Sequence, residues 1–215
     1  MVGEQEQRYY YSLYEIAAAV NSANTTENVL HSIVESIAST LEVKGCSLML
    51  LTPDKELLLH TIAHGLSDWY ITKGPVSADK SISEALEGKP VAVLNAVEDE
   101  RIQYHEQAKR EGIASILTIP VMLRQEIIGV VRLYTAEPRH FTDADTYFVG
   151  AAANLGAIAL ENARLYDSVK KDYEELRLDL AEWRAALGYE WIAGESVLPA
   201  KEEEPSHISE EEIPV

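Results

Sequence analysis

Residues 112–166 read GIASILTIPVMLRQEIIGVVRLYTAEPRHFTDADTYFVGAAANLGAIALENARLY. Two apolar, β-branched runs, Ala114 to Leu123 and Ile127 to Thr135, flank the polar Arg124, Gln125 and Glu126. This spacing predicts an antiparallel hairpin. Phe141 follows, then Thr142, a natural helix N-cap, with Asp143 and Asp145 placed to complement the positive end of a long helix.

Upstream of the hairpin the pattern alternates between helix and strand. Glu4 to Asn21 predicts an amphipathic helix, with Leu13, Ile16, Ala17 and Val20 at helical spacing. Asn24 or Thr25 caps a second helix whose apolar face is Val29, Ile33, Ile37, Ala38 and Leu41, closed by Gly45. Cys46 to Leu51 and Leu57 to Ala63 read as strands joined by the turn residues Thr52 to Lys55. His64 to Gly74 reads as a loop, Asp79 to Leu86 as a short helix closed by Gly88, and Val91 to Leu94 as a short strand. Glu98 to Arg110 is polar and helix-compatible, ending at Gly112.

The pieces Ile119-Pro120-Val121, Ile128 to Leu133, Phe141-Thr142, Asp145 and Ala159 to Tyr166 together resemble the C-terminal half of a GAF domain, and the resemblance reaches back to about Thr25. It implies an α+β fold: a GAF/PAS-like α-β-α sandwich around a central antiparallel sheet, with long flanking N- and C-terminal helices. The first, second and last long helices would cover one face, and short helices and loops the other. The expected organisation is an N-terminal helix over 1–24, a GAF domain over 25–166, a helical extension over 167–188 and an acidic, disordered tail over 189–215.

Composition narrows the function classes. Of 215 residues, 47% are hydrophobic, enough for a packed core. Eighteen basic against thirty-six acidic residues give a formal net charge of −18, which repels nucleic acid and anionic membrane surfaces. The N-terminus has no basic region followed by an apolar core, and Phe148 to Leu160 is too short to span a bilayer, so a cytoplasmic protein is expected. No kinase, cyclase or DNA-binding segment is read in the chain, so any output would run through another protein.

Each candidate for chemistry has a plainer alternative. His60 and His64, four apart on a strand, would share a face yet stand about 13 Å apart, too far to share a metal. No metal site is expected. Cys46 is the single cysteine, so it forms no intramolecular disulfide and reads as a small core residue. The GAF fold also hosts a free methionine sulfoxide reductase that cycles several cysteines, which one cysteine cannot do. The chain is therefore expected not to be an enzyme.

The resemblance raises two cofactors. Phytochrome-like GAF domains attach a bilin through a Cys-His pair; here Tyr104-His105 stands near that place with no cysteine between Glu98 and Glu111, so no covalent bilin is expected. Cyclic-nucleotide-binding members carry an Asn-Lys pair and then Phe-x3-Asp-Glu. Here the first position is near Tyr134-Thr135, and Phe141 and Asp145 are followed by Thr146, which disfavours a cyclic nucleotide. The cofactor stays unassigned.

Two surfaces carry the functional expectation. Trp69, Tyr70, Ile82, Tyr104, His105, Ile113, Ile116 and Thr118 would either frame a small-molecule pocket over the sheet or fill it. Arg132, in a strand covered on both faces, either pairs with a nearby carboxylate or carbonyl or offers its guanidinium to an anionic ligand. Along the last helix Ile158, Asn162, Leu165, Val169, Tyr173, Leu176, Leu180, Trp183 and Leu187 recur at a mean spacing close to 3.6. With Leu13, Ile16 and Val20 they would form a homodimer interface, or both helices would fold back on their own chain. The expected role is a non-catalytic sensory or regulatory module acting through a signalling protein partner; the alternative is a structural dimerisation module with a filled core.

Overall fold

In the computed structural model, residues 2–22, 25–78 and 83–186 are described. Two helices open the chain, α1 (Val2–Val20) and α2 (Thr26–Thr40), followed by strands β1 (Gly45–Leu51) and β2 (Leu57–His64). Next come a one-turn helix α3 (Asp68–Ile71), β3 (Val76–Ser77), a second short helix α4 (Ser83–Leu86) and β4 (Val91–Val93). Helix α5 (His105–Glu111), the hairpin β5 (Ser115–Leu123) and β6 (Glu126–Thr135), and α6 (Asp143–Ala186) complete the described chain. The strands form one six-stranded sheet in the order β3-β2-β1-β6-β5-β4, antiparallel at every pairing.

The hairpin closes more tightly than its three polar residues predict. Glu126 pairs with Leu123, leaving a two-residue turn in which Arg124 and Gln125 both take positive φ, 48° and 70°. That backbone matches the twist of paired strands and has its cost repaid by the long hairpin it closes. Arg124 also reaches Glu161 of α6 at 2.7 Å, tying the turn to the helix.

The sheet has two different faces. On one, α1, α2 and the first part of α6 bury Ile16, Ile33, Ile37, Phe148 and Val149 against Cys46, Leu48, Leu117 and Leu133. Burying each such aliphatic side chain contributes roughly 1.5–3 kcal/mol, which makes this layer the main source of stability. The N-cap of α2 is Thr25, whose hydroxyl accepts from Asn28 N–H. The helix stops at Thr40 with Leu41 as its C-cap, and Glu42 turns the chain at φ 52°, so Gly45 starts β1 rather than ending α2.

Thr142 and Asp145 form a reciprocal cap at the start of α6. Thr142 N–H donates to Asp145 at 2.8 Å, and Asp145 N–H donates to the Thr142 hydroxyl at 3.1 Å. Asp145 is almost fully buried, accepts from the Tyr9 hydroxyl of α1, and lies 3.6 Å from Arg139. Arg139 in turn donates to the Leu41 carbonyl at the end of α2. One carboxylate thus links three helices.

Several elements depart from the sequence expectation. The loop over His64 to Gly74 contains α3, and β3 adds a strand edge that two residues cannot announce. The helix expected over Glu98 to Arg110 is only α5. Asn95 accepts from Val97 N–H and Asp99 from Arg101 N–H, so these side chains hold the preceding segment in turns. Gly112 does end α5, in a left-handed conformation at φ 71°. His60 and His64 do not share a face. The pairing of β1 with β2 shifts between Leu48/Met49, so His60 aligns with Met49 and His64 with Cys46 on the opposite side.

The chain from 170 onward forms a second unit, of which residues 170–186 are described as the C-terminal part of α6. The expected boundary between residues 166 and 167 falls inside α6. Ile82, Leu187, the stop at Gly188 and the tail over 189–215 lie outside the described residues. No helix among the described residues is long and apolar enough to cross a membrane.

Candidate functional site

The face of the sheet away from the long helices lies beneath the short segments α3 to α5. Two apolar clusters occupy it. One gathers Met49, Leu58, Val76, Val91 and Val130; the other gathers Tyr70, Val93, Ile113, Ile116 and Tyr134. A polar row runs across three adjacent strands between them. Ser47 of β1 pairs with Arg132 of β6, and Arg132 pairs with Thr118 of β5. Partners in register share a face, so all three side chains belong to the lid side, and all three are buried.

Basic groups gather on this row. His60 of β2 lies one pairing further along, opposite Met49, and its Nε2 is 3.0 Å from the Lys73 ammonium. Lys73 also donates to the Tyr70 carbonyl at 2.9 Å and sits 3.7 Å from the centre of the Tyr70 ring. Arg132 shares a side-chain hydrogen bond with Tyr134, whose hydroxyl is 3.0 Å from that of Ser47.

The electrostatics follow from burial and like charge. Burial, then the charges of Lys73 and Arg132, pull the His60 imidazole down to about 3, so it is neutral at pH 7. Because Lys73 is placed to donate to Nε2, the imidazole proton is assigned to Nδ1, a buried atom with no hydrogen-bond partner among the described residues. Burial, with Arg132 adding to it, lowers the Lys73 ammonium to about 8. Among the described residues the charge of Glu111 acts on Lys73 in the opposite direction, and Glu111 accepts from the backbone N–H and hydroxyl of Ser67. Burial raises both Tyr70 and Tyr134, keeping them as neutral hydroxyls.

The expected pocket residues divide into three groups. Tyr70, Ile116, Thr118 and Arg132 come together on the lid side. Tyr70 and Tyr134 meet edge to face at 5.9 Å. Trp69 and Tyr104 lie at the margin: Trp69 packs under the Arg110 guanidinium, and the Tyr104 hydroxyl donates to the Pro75 carbonyl. His105 is turned to the backbone of its own loop, 2.7 Å from the Asp99 carbonyl.

Sequence reasoning missed His60 and Lys73 as partners. A signal was present in Leu57-Leu58-Leu59-His60, a base in an apolar strand, and in Lys73 three residues beyond Tyr70. Cys46 is buried on the opposite face, and burial raises its thiol far above the usual range. Among the described residues no group of three or more His, Cys, Asp and Glu side chains could hold a metal ion.

The expected dimer residues also divide. Ile16 is buried in the chain's own core, with Leu13 and Val20 packed on it. In the first unit Leu165 and Val169 are exposed, and in the second so are Tyr173, Leu176, Leu180 and Trp183.

A six-stranded antiparallel sheet with three helices on one face and short segments on the other defines an α+β sandwich domain. The profile of the GAF domain matches residues 25–160, and the chain belongs to the GAF domain family. Solved GAF-fold proteins resemble it closely in architecture. The GAF domain of a phosphoenolpyruvate-protein phosphotransferase from Coxiella burnetii aligns with TM-score 0.67 and 19% identity, covering 75% of this chain and 98% of that one. Free methionine-R-sulfoxide reductase from Neisseria meningitidis aligns with TM-score 0.62 and 15% identity, over 74% and 91%. In sequence, the chain is 30% identical over 94 residues to a probable 3',5'-cyclic phosphodiesterase of Caenorhabditis elegans. That match spans 43% of this chain and only 13% of the relative.

Proposed function

We propose that this chain is a non-catalytic regulatory GAF module that takes up a small molecule beneath the lid and passes its state to a second copy through the terminal helices. The observation that carries the reading is the buried polar row Ser47–Arg132–Thr118, with His60 and Lys73 beside it. A core that served only packing gains little from burying a guanidinium beside a half-buried ammonium and a neutral histidine, because desolvating them is costly.

The exposed apolar side chains of α6 support the dimer. The buried thiol of Cys46 supports the non-catalytic reading, since a nucleophile needs access and an ionised form. A cytoplasmic signalling protein is the partner this reading calls for. Close packing of Tyr70, Ile116 and Tyr134 favours the second reading, a filled dimerisation module. A native mass spectrum of protein purified from its own host separates them. The sensor reading expects a dimer with a small-molecule adduct, released on denaturation. Ligand-free dimers that no metabolite extract stabilises would support the filled module, and turnover of free methionine sulfoxide would overturn both.

A further inference from the structure

The second unit, described over residues 170–186, carries a pattern that the mean spacing of the whole helix conceals. Tyr173, Leu176, Leu180 and Trp183 follow one another at steps of three, four and three, and each is between 46% and 61% exposed. This is the rhythm of a heptad, with Tyr173 and Leu180 at a, and Leu176 and Trp183 at d. The flanking positions are sorted by sign. Lys170, Arg177 and Arg184 hold the e positions, and Asp172 and Asp179 hold the g positions ahead of Ala186. Within this stretch Lys171 pairs with Glu175 at 3.9 Å, at positions f and c, away from the seam. Among the described residues Asp172, Arg177, Asp179 and Arg184 are exposed and make no ion pair of their own.

Resting on the reading of α6 as a contact between copies, we propose that this stretch binds a second copy of itself as a parallel, in-register seam. Asp172 and Asp179 select that arrangement by pairing with Arg177 and Arg184 of the second copy. In a parallel pair each g side chain lies beside the e side chain five residues further along the other helix, so every acid here meets a base. Two-fold symmetry repeats each pairing. An antiparallel pair sets g against g and e against e, which is acid on acid and base on base. A stagger of one heptad leaves half of the a and d side chains of this stretch without a facing layer. A foreign helix of uniform charge would meet its like along one flank. The seam is short for a free-standing helix pair, so its charges set the direction and register of a contact rather than all of its strength.

The test uses the full chain, whose one cysteine, Cys46, is buried. Tyr173→Cys and Leu180→Cys, prepared separately, are oxidised in a glutathione redox buffer at micromolar concentration and run on a non-reducing gel. Both are a positions, which meet their own copies in the parallel, in-register pair. Both should therefore give disulfide-linked dimers, while the wild type gives none. An antiparallel pair brings at most one of these positions to its own copy. Linkage of one alone, or of neither in a chain that sediments as a dimer, would overturn the orientation and leave the dimer standing. A wild type that sediments as a monomer would remove the dimer and this inference together. Arg177→Glu/Arg184→Glu sets acid against acid and should weaken self-association about tenfold or more. Adding Asp172→Lys/Asp179→Lys restores opposite signs and should recover the wild-type dissociation constant. All four side chains are exposed, so the helix content should not change. An Arg177→Glu/Arg184→Glu chain that dimerises like the wild type would strike these ion pairs as the selecting contacts.

Discussion

His60 is neutral at pH 7 because burial and two neighbouring cations oppose its protonation, and this makes it an acid-labile point. Its folded pKa of about 3 lies below the ordinary 6.5. The folded state therefore binds fewer protons, so stability is fully present above pH 6.5 and is lost as pH falls toward 3. Between pH 6.5 and 5 the loss from this one group is about 2 kcal/mol. Urea midpoints measured at pH 7 and pH 5 should separate for wild type and draw closer together in His60→Gln. An unchanged separation would remove His60 as the cause. Lys73 behaves in the same direction, since its depressed pKa means the charge is disfavoured where it sits. Lys73→Met should raise stability at pH 7 by about 1 kcal/mol, after discounting for its partly wetted position.

Among the elements, the start of α6 concentrates the most connections on one side chain. Thr142→Ala removes a reciprocal cap and should cost about 1 kcal/mol. Tyr9→Phe leaves buried Asp145 short of one donor and should cost roughly 1–2 kcal/mol. The two substitutions meet at Asp145, so a double-mutant cycle in chemical unfolding should show coupling rather than simple addition. Gly129 is the sharper case at the strand level. A Cβ there would lie 2.2 Å from the Met49 carbonyl, so Gly129→Ala should push β1 from β6 and cost more than either.

The hairpin and the long helix were legible because period and cap agree: alternating β-branched runs, then Thr142 with Asp145 three residues on. The apolar face of α2 was equally plain, and Val29, Ile33, Ile37, Ala38 and Leu41 are all buried. The site was only half legible. Arg132 stands out in a strand, but the bulge that turns His60 toward the lid has no composition of its own. Lys73 joins it through a fold of the chain that no local pattern encodes. The helix over Glu98 to Arg110 failed for a related reason, because Asn95 and Asp99 satisfy backbone donors that helical propensity leaves out of account.

At the scale of the whole molecule, the long helices serve two different ends. Helix α1 packs its apolar face on its own chain: Ile16 is 1% exposed, and Tyr9 stacks on Phe148 at 4.6 Å. It is thereby fixed to the core and to the start of α6, where Asp145 joins them. The exposed side chains of α6 are different. Val169 in the first unit, and Leu176 and Trp183 in the second, are 67%, 58% and 61% exposed. Apolar groups recurring on one helix at this spacing gain most from meeting a second helix, and in a symmetric pair the same residues meet their own copies. Sedimentation equilibrium at micromolar concentration should therefore return twice the chain mass. The double variant Val169→Glu/Leu176→Glu places like charges at that contact and should return the single chain mass, with the far-ultraviolet spectrum and the Tyr9–Asp145 link intact. A wild type that sediments as a monomer would leave the pocket reading in place and remove the second copy as its route of output.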